Sequence, residues 1–485
     1  MSETVDLAII GAGPAGLAAA TVASGLGLSV VLLDEQPAPG GQIYRNIESF
    51  NAEALEEYLG EDYTKGRTIA EEFRASDAKY RPNATVWRVD QDGSIAWTDG
   101  STAQILKAGR VIAATGALER PVPIPGWTLP GVMGAGAAQI MLKSAVMVPD
   151  GPTIIAGNGP LLYLVANQLY SAGAEIAAIL ETTRFRDYVS AAPYAFSAMR
   201  ANEYLSKGAK LIQNLKKKGL KVQSAISNLA AHGNGRLQKI TYTAHSLEQE
   251  VEAKALLLHQ GVVPNVQITR QVGADHEWYE PQRYWRPKTD LWGTTSIETL
   301  AIAGDGAGIF GAEAAVLSGK LAALETAYRA GIIDELQRNV QAKPLFREQQ
   351  RIGSIRPLLD RLYHPSPDIL TPANDTLVCR CEEVTAGDIR KCVQEGATGP
   401  NQLKAYTRCG MGPCQGRMCG LSVTEVIADA RGKTAEEIGY SRLRPPITLP
   451  APTVAPRVRD CRPPRTGAPR AGPCSCPLSP QTWSA

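Results

Sequence analysis

The sequence has no cysteine before position 379, no long apolar run, and no surplus of charge of either sign. Each absence excludes something. Without a C-x-x-C or C-x4-C pair in residues 1–375, a thiol–disulfide reductase mechanism is unsupported. A net charge of +2 supplies no field that would favour nucleic acid or an anionic membrane surface. A bilayer-spanning helix needs about 18 or more apolar residues in a row, and none is present. The opening MSETVDLAIIGAG lacks the basic leader and apolar core of a secretion signal. The expected location is cytoplasmic, with peripheral contact at the inner face of a membrane left open. In that compartment nine cysteines read as metal ligands, redox groups or buried thiols rather than structural disulfides. Histidine is scarce as well. His232, His245, His259, His276 and His364 are scattered, and no acid–base constellation is visible. His259, in LLLHQGVVPN, reads as a structural residue.

What is present fits a globular protein of two or three domains: 485 residues, 44% hydrophobic and 20% charged. VDLAII reads as a buried strand, GAGPAG as a turn, LAAATVASGLG as a helix and SVVLLD as a second strand. A second βαβ unit opens at 153 with TIIA, GNGPLLYLVANQLYSAG and EIAAILE. Two such units predict two dinucleotide-type domains rather than one long sheet. The expected layout is a first domain over 1–145 and 275–330, a second over 150–270, a helical connector over 331–375, a cysteine module over 376–430 and an irregular Pro/Arg-rich tail over 440–485. In the module, VTAGDIRKCVQEG predicts a helix opened by Thr385 with Asp388 in the capping-box position.

Gly11, Gly13 and Gly16 form G-x-G-x-x-G between a strand and a helix. Gly11 permits the tight turn, Gly13 lets the backbone approach a pyrophosphate, and Gly16 lets helix and strand pack closely. Pro14 and Ala15 complete the turn, and Asp34 closes the second strand as the ribose-binding acid, with Glu35 next to it. Three more segments bear on which dinucleotide binds: PAPGGQIYR with Gly41 and Gln42, RVIAATGALERP with Thr115 and Gly116, and LAIAGDGAG with Gly304 and Asp305. Together they resemble the two-dinucleotide-domain flavoproteins of the disulfide- and ferredoxin-reductase type. The resemblance implies FAD, with Asp305 bonded to the ribityl chain or nearby phosphate.

The second turn, GNGPLL, keeps Gly157 and Gly159 but has Leu162 where the third glycine belongs. That residue pushes helix and strand apart or forces another packing. Glu181 remains available as a ribose acid, with Arg184 and Arg186 behind it. The expectation is a degenerate nucleotide site, with a further nucleotide at 157–162 left open.

The cysteines form C-x-C at Cys379 and Cys381, followed by Cys409, Cys414 and Cys419 in TRCGMGPCQGRMC. Thiolates on Gly-rich loops suit an iron–sulfur cluster or a structural zinc. Cys392 falls on an apolar helical face and reads as core. The segment resembles the [2Fe–2S] module of the bacterioferritin-associated-ferredoxin type. That resemblance implies Cys379, Cys381, Cys414 and Cys419 as ligands, with Cys409 the competitor of Cys419. RPVPIPGWTLPGVMGAGAAQ joined to the cysteine loop resembles the flavin/iron–sulfur, alpha-type chains of heteromeric amino-acid and amine dehydrogenases, the group that includes those of opine oxidase, D-hydroxyproline dehydrogenase and hydrogen cyanide synthase. The fold implied is α/β, with two Rossmann-like domains of glutathione- or thioredoxin-reductase type and a small C-terminal [2Fe–2S] module. The partners implied are an oxidase-like flavoprotein, a small ferredoxin-like protein, and an acceptor such as a quinone or dye. FMN at an interface between the chains is left open. The tail beyond about 449 falls outside this resemblance, and Cys461, Cys474 and Cys476 have no assigned role.

Overall fold

The computed structural model describes residues 3–49 and 52–448. Cys461, Cys474 and Cys476, with the tail from 449 onward, lie outside the described residues.

Alternating runs of β-branched and small apolar residues make strand Glu3–Ile10 the centre of the first sheet. It pairs in parallel with Val30–Leu33 on one side and Ala103–Ala113 on the other, and Leu300–Ile302 adds in parallel beyond the latter. Ile10 lies opposite both Leu33 and Ala113, and Ala113 opposite Ile302. Four strands therefore end at one edge. The residues that follow them are Gly11, Asp34, Ala114–Gly116 and Gly304–Asp305. In an open α/β sheet that carboxyl edge is where ligands bind. A hairpin-like extension, Ser94–Thr98 and Thr85–Val89, completes the sheet on its antiparallel side.

The second sheet is all parallel, in the order Val222–Gln223, Ile176–Glu181, Thr153–Asn158, Ala255–Gln260, Val132–Gly134. Its last member belongs to a segment that the sequence assigned to the first domain, so the second domain starts before 150. The helix Ala135–Ala145 follows this strand, and its Ala135, Ala138 and Leu142 pack in the second domain's core with Leu162 and Leu257. The chain crosses between the domains twice, at Ala117–Glu119 and Val262–Pro264, and the two crossings pair as an antiparallel ribbon.

The connector is helical, as the sequence implies, with Glu335–Gly353, Arg356–Leu362 and Pro367–Leu370. The cysteine module has its own core of Val378, Ile389, Leu403, Val426 and Ile427. The capping box is formed: the Asp388 amide donates to Thr385 Oγ1, and the Thr385 amide to Asp388 Oδ2. Ala435 and Ile438 join this core, which extends it past 430. The first part of the expected tail is irregular yet packed, with Leu443 and Ile447 buried and the Ile447 amide donating to Trp87 O. No helix among the described residues is long and apolar enough to cross a membrane.

Candidate cofactor sites

At the first turn the three glycines separate by purpose. A β-carbon on Gly16 would sit 1.9 Å from Gly11 O, and one on Gly11, whose φ is +107°, would sit 2.5 Å from Ala114 O. Both are required by the chain's own packing. A β-carbon on Gly13 would have nothing closer than Gly41 Cα at 3.8 Å. Its small size is not demanded by the protein, which is what a ligand approaching the backbone requires. Gly41 faces it, with a φ of +62°.

Both oxygens of Asp34 are engaged by amides of the chain, Ala12 at 2.5 Å and Gln36 at 2.7 Å. Burial raises its pKa. Glu35 beside it is exposed. Asp34 thus ties the second strand to the turn, and Glu35 stands exposed beside it. Asp305 Oδ1 accepts the amides of Phe310 and Gly311 at 2.9 Å each, just before helix Ala312–Arg329. Burial raises the Asp305 pKa as well. Gly116 is open on its side-chain face, and Thr115 Oγ1 donates to Asn265 O at 3.4 Å.

Lys143 carries no sequence signature and is a supporting residue found only in the structure. It is buried, and its Nζ donates to the carbonyls of Gln42 and Ile43 at 3.1 and 2.9 Å. Burial without a carboxylate partner pushes its pKa down to about 7. It fixes the loop that carries Gly41 and Gln42.

The second turn is built differently. Gly157, Asn158 and Gly159 are all buried. Leu162 is fully buried against Ile155, Val165 and Leu169. The helix is not expelled; it packs through the leucine, a burial worth roughly 1.5–3 kcal/mol. Over the turn lies a strap of the chain's own connector, residues 363–369. Asn158 Nδ2 donates to His364 O at 2.7 Å, and the Ser366 amide to Gln260 Oε1 at 3.2 Å. His364 Nε2 lies 3.1 Å from Asp187 Oδ1, and the Asn228 amide donates to Asp368 Oδ2 at 2.8 Å. Glu181, expected to hold a ribose, is 2% exposed and accepts from Ser224 Oγ. Burial and then Glu181's charge raise the Tyr363 pKa. Gly157, Thr182, Gln260 and Ser366 line what remains of the recess beneath the strap. The sequence did carry a signal for this strap: Pro365 and Pro367 in HPSP force extended backbone between two helices.

His259 is structural, as expected. Its Nδ1 lies 2.8 Å from Glu119 Oε1, and Glu119 also accepts the Gly136 amide at the start of helix Ala135–Ala145.

In the module, Cys379, Cys409 and Cys419 bring their sulfurs within 4.8 Å of one another, all buried. Cys381 and Cys414 are mutual neighbours at the more exposed side. A β-carbon on Gly412 would collide with Cys381 Cβ at 2.2 Å, so the glycine is what lets the loop close on the thiols. Cys409, set aside by spacing, stands inside the cage, and Cys392 is buried in the helical core. The expected set is thus divided: Cys379 and Cys419 lie in the buried trio with Cys409, and Cys381 pairs with Cys414 outside it. Thiols grouped this way fit an iron–sulfur cluster or another soft metal. The module is locked to both domains, through Trp127 of the second domain's core and Arg283 of the first. Trp127 Nε1 donates to Leu377 O at 2.7 Å, and Arg283 makes a two-pronged pair with Glu425 at 2.7 and 2.6 Å. Glu425 is buried, so Arg283→Ala strands its charge and is expected to cost about 3–5 kcal/mol. Chemical denaturation followed by tryptophan fluorescence measures this, and a loss below about 1 kcal/mol would show the pair to be solvated.

The turn–strand–turn arrangement at the first sheet's edge defines a flavin-type dinucleotide oxidoreductase. The chain belongs to the pyridine nucleotide-disulphide oxidoreductase family, whose model matches residues 5–331. Residues 373–455 match the sarcosine oxidase A3 domain. The chain is 42% identical to an opine oxidase subunit of Rhizobium meliloti over 92% of its own length and 86% of that protein's. It is 32% identical to hydrogen cyanide synthase subunit HcnB of Pseudomonas aeruginosa, over 90% and 96% of the two lengths. L-proline dehydrogenase from P. horikoshii shares the fold, with a TM-score of 0.65 at 20% identity over 93% of this chain and 79% of that one.

Proposed function

We propose that this chain is the electron-transfer component of a heteromeric dehydrogenase. In this reading it binds FAD at the 11–16 turn and a [2Fe–2S] cluster at Cys379, Cys381, Cys414 and Cys419. It takes electrons from an oxidase-like flavoprotein partner that oxidises an amino acid, opine or related secondary amine, and passes them to an acceptor other than oxygen. Its relatives are named as subunits of an opine oxidase and of a hydrogen cyanide synthase, which supports a multi-chain assembly.

The observation that carries the reading is the closed second cleft. In a reductase of this family type, a nicotinamide nucleotide would enter at the carboxyl edge of the second sheet. Here His364 and Ser366 are bonded across that edge. Electrons then need another entry, and a partner chain supplies it. When bound, the flavin supplies two-electron chemistry and the cluster one-electron chemistry. The chain's residues do the holding: Gly13 admits the pyrophosphate, Glu35 and Asp305 serve the sugar hydroxyls, and Lys143 keeps the Gln42 carbonyl in place.

Anaerobic mixing with NADH or NADPH tests the point. The flavin absorbance is expected to stay unbleached over minutes, while the complete complex bleaches with substrate. Fast, saturable reduction by either nicotinamide would replace this reading with that of a stand-alone reductase.

A further inference from the structure

Between strand Ile176–Glu181 and helix Asn202–Lys217 the chain forms short helical turns over residues 185–201. Their packing is inverted. Small side chains go inward: Ala191, Ala198 and Ala201 are buried, the last two against Ile355. Large ones go outward. Phe185, Tyr188, Val189, Tyr194, Phe196 and Met199 are between 39% and 83% exposed. A helix facing solvent places its polar residues outside. Here six of the twenty-one exposed large apolar side chains among the described residues fall within fifteen positions. Such concentration marks an interaction surface rather than scattered exposure.

The composition indicates what kind. Aromatic residues, methionine and arginine are the types enriched at the centres of protein interfaces. Arg184 and Arg200 flank the patch and form no ion pair among the described residues, and Arg186 reaches only Asp187, at 3.7 Å. A second copy of this chain docked by two-fold symmetry would bring these arginines against their own kind. A partner with an apolar centre and a carboxylate rim complements them.

We infer that the face formed by residues 184–200 is the docking surface for the partner flavoprotein. This rests on the heteromeric reading above and adds where that partner sits. Phe196 and Met199 form its apolar anchor, and Arg200 meets an acidic group on the partner's rim.

The test uses the purified flavin-loaded chain and a purified oxidase-like flavoprotein partner. Complex formation is read by light scattering on a sizing column and affinity by interferometry. The double variant Phe196→Glu, Met199→Glu is expected to weaken binding roughly thirtyfold or more, with flavin content and unfolding midpoint unchanged. Arg200→Glu is expected to slow association and reduce its salt dependence. Undiminished binding by the double variant overturns the surface and leaves the heteromeric reading standing. A wild-type chain that binds no such flavoprotein overturns both. If the substitutions instead dissolve a dimer of this chain, or release it from vesicles of phosphatidylglycerol and phosphatidylethanolamine, the partner named here is wrong.

Discussion

Gly13→Val is expected to yield a folded protein that carries no flavin. The reason lies in how the three glycines of the turn differ. A β-carbon on Gly13 meets only Gly41 Cα, at ordinary contact distance. The backbone there is extended, with φ −79° and ψ −177°, which a β-branched residue accepts. The apoprotein therefore tolerates the valine, whereas a pyrophosphate seated on the helix N-terminus does not. Gly16→Ala separates the two effects. Its β-carbon falls 1.9 Å from Gly11 O, so the strand and helix must part, at roughly 1–3 kcal/mol or more. Flavin released on denaturation and a urea unfolding curve are measured on both variants. The valine variant is expected to lose flavin with its midpoint kept, and the alanine variant to lose stability. A valine variant that retains a full complement of flavin would show that the ligand binds elsewhere.

Cys379→Ser is expected to remove essentially all iron from the anaerobically purified protein. Cys379 lies within 4.8 Å of Cys409 and Cys419, and the amides of Gly410 and Glu382 point at it. Losing it removes a primary thiolate from the buried trio. Cys381→Ser, Cys414→Ser and Cys419→Ser are expected to do the same, and Cys409→Ser to keep its iron. The structure makes this last contrast informative, because Cys409 and Cys419 both lie within 4.8 Å of Cys379. Iron and sulfide analysis with visible spectra decides it. Iron lost from the Cys409 variant but kept in the Cys419 variant exchanges the two ligands; zinc in the wild-type protein removes the cluster altogether.

Much of this was legible in the sequence because it rests on local rules. A G-x-G-x-x-G turn between a strand and a helix announces its own geometry. Thr385 and Asp388, three residues apart, announce a helix start. The closing of the second cleft was half legible. Leu162 marked the loss of a phosphate turn, but the strap that covers it comes from some 200 residues further along, and only the two prolines hinted at extended backbone. Lys143 was illegible. Its role depends on carbonyls about 100 residues away, and nothing in GAGAAQIMLKSA distinguishes it from a surface lysine. The early start of the second domain was missed for a similar reason. Val132–Gly134 is only three residues long, and its place is set by pairing with Leu256–Leu258. Spacing left Cys409 as the competitor of Cys419 because it counts residues along a chain, while the fold brings both beside Cys379.

One consequence follows from how the first domain is closed. Its opening strand and turn meet their last neighbours only through residues 300–319: Leu300–Ile302 completes the edge, Gly304 lies against Ala15, and a β-carbon on Gly319 would sit 2.1 Å from Ala15 O. On a ribosome adding about 5–20 residues per second, the first sixteen residues wait on the order of tens of seconds for the helix that covers them. The turn is thus begun first and finished late, once residues 300–319 have been made and the whole second domain has had time to fold inside the interruption.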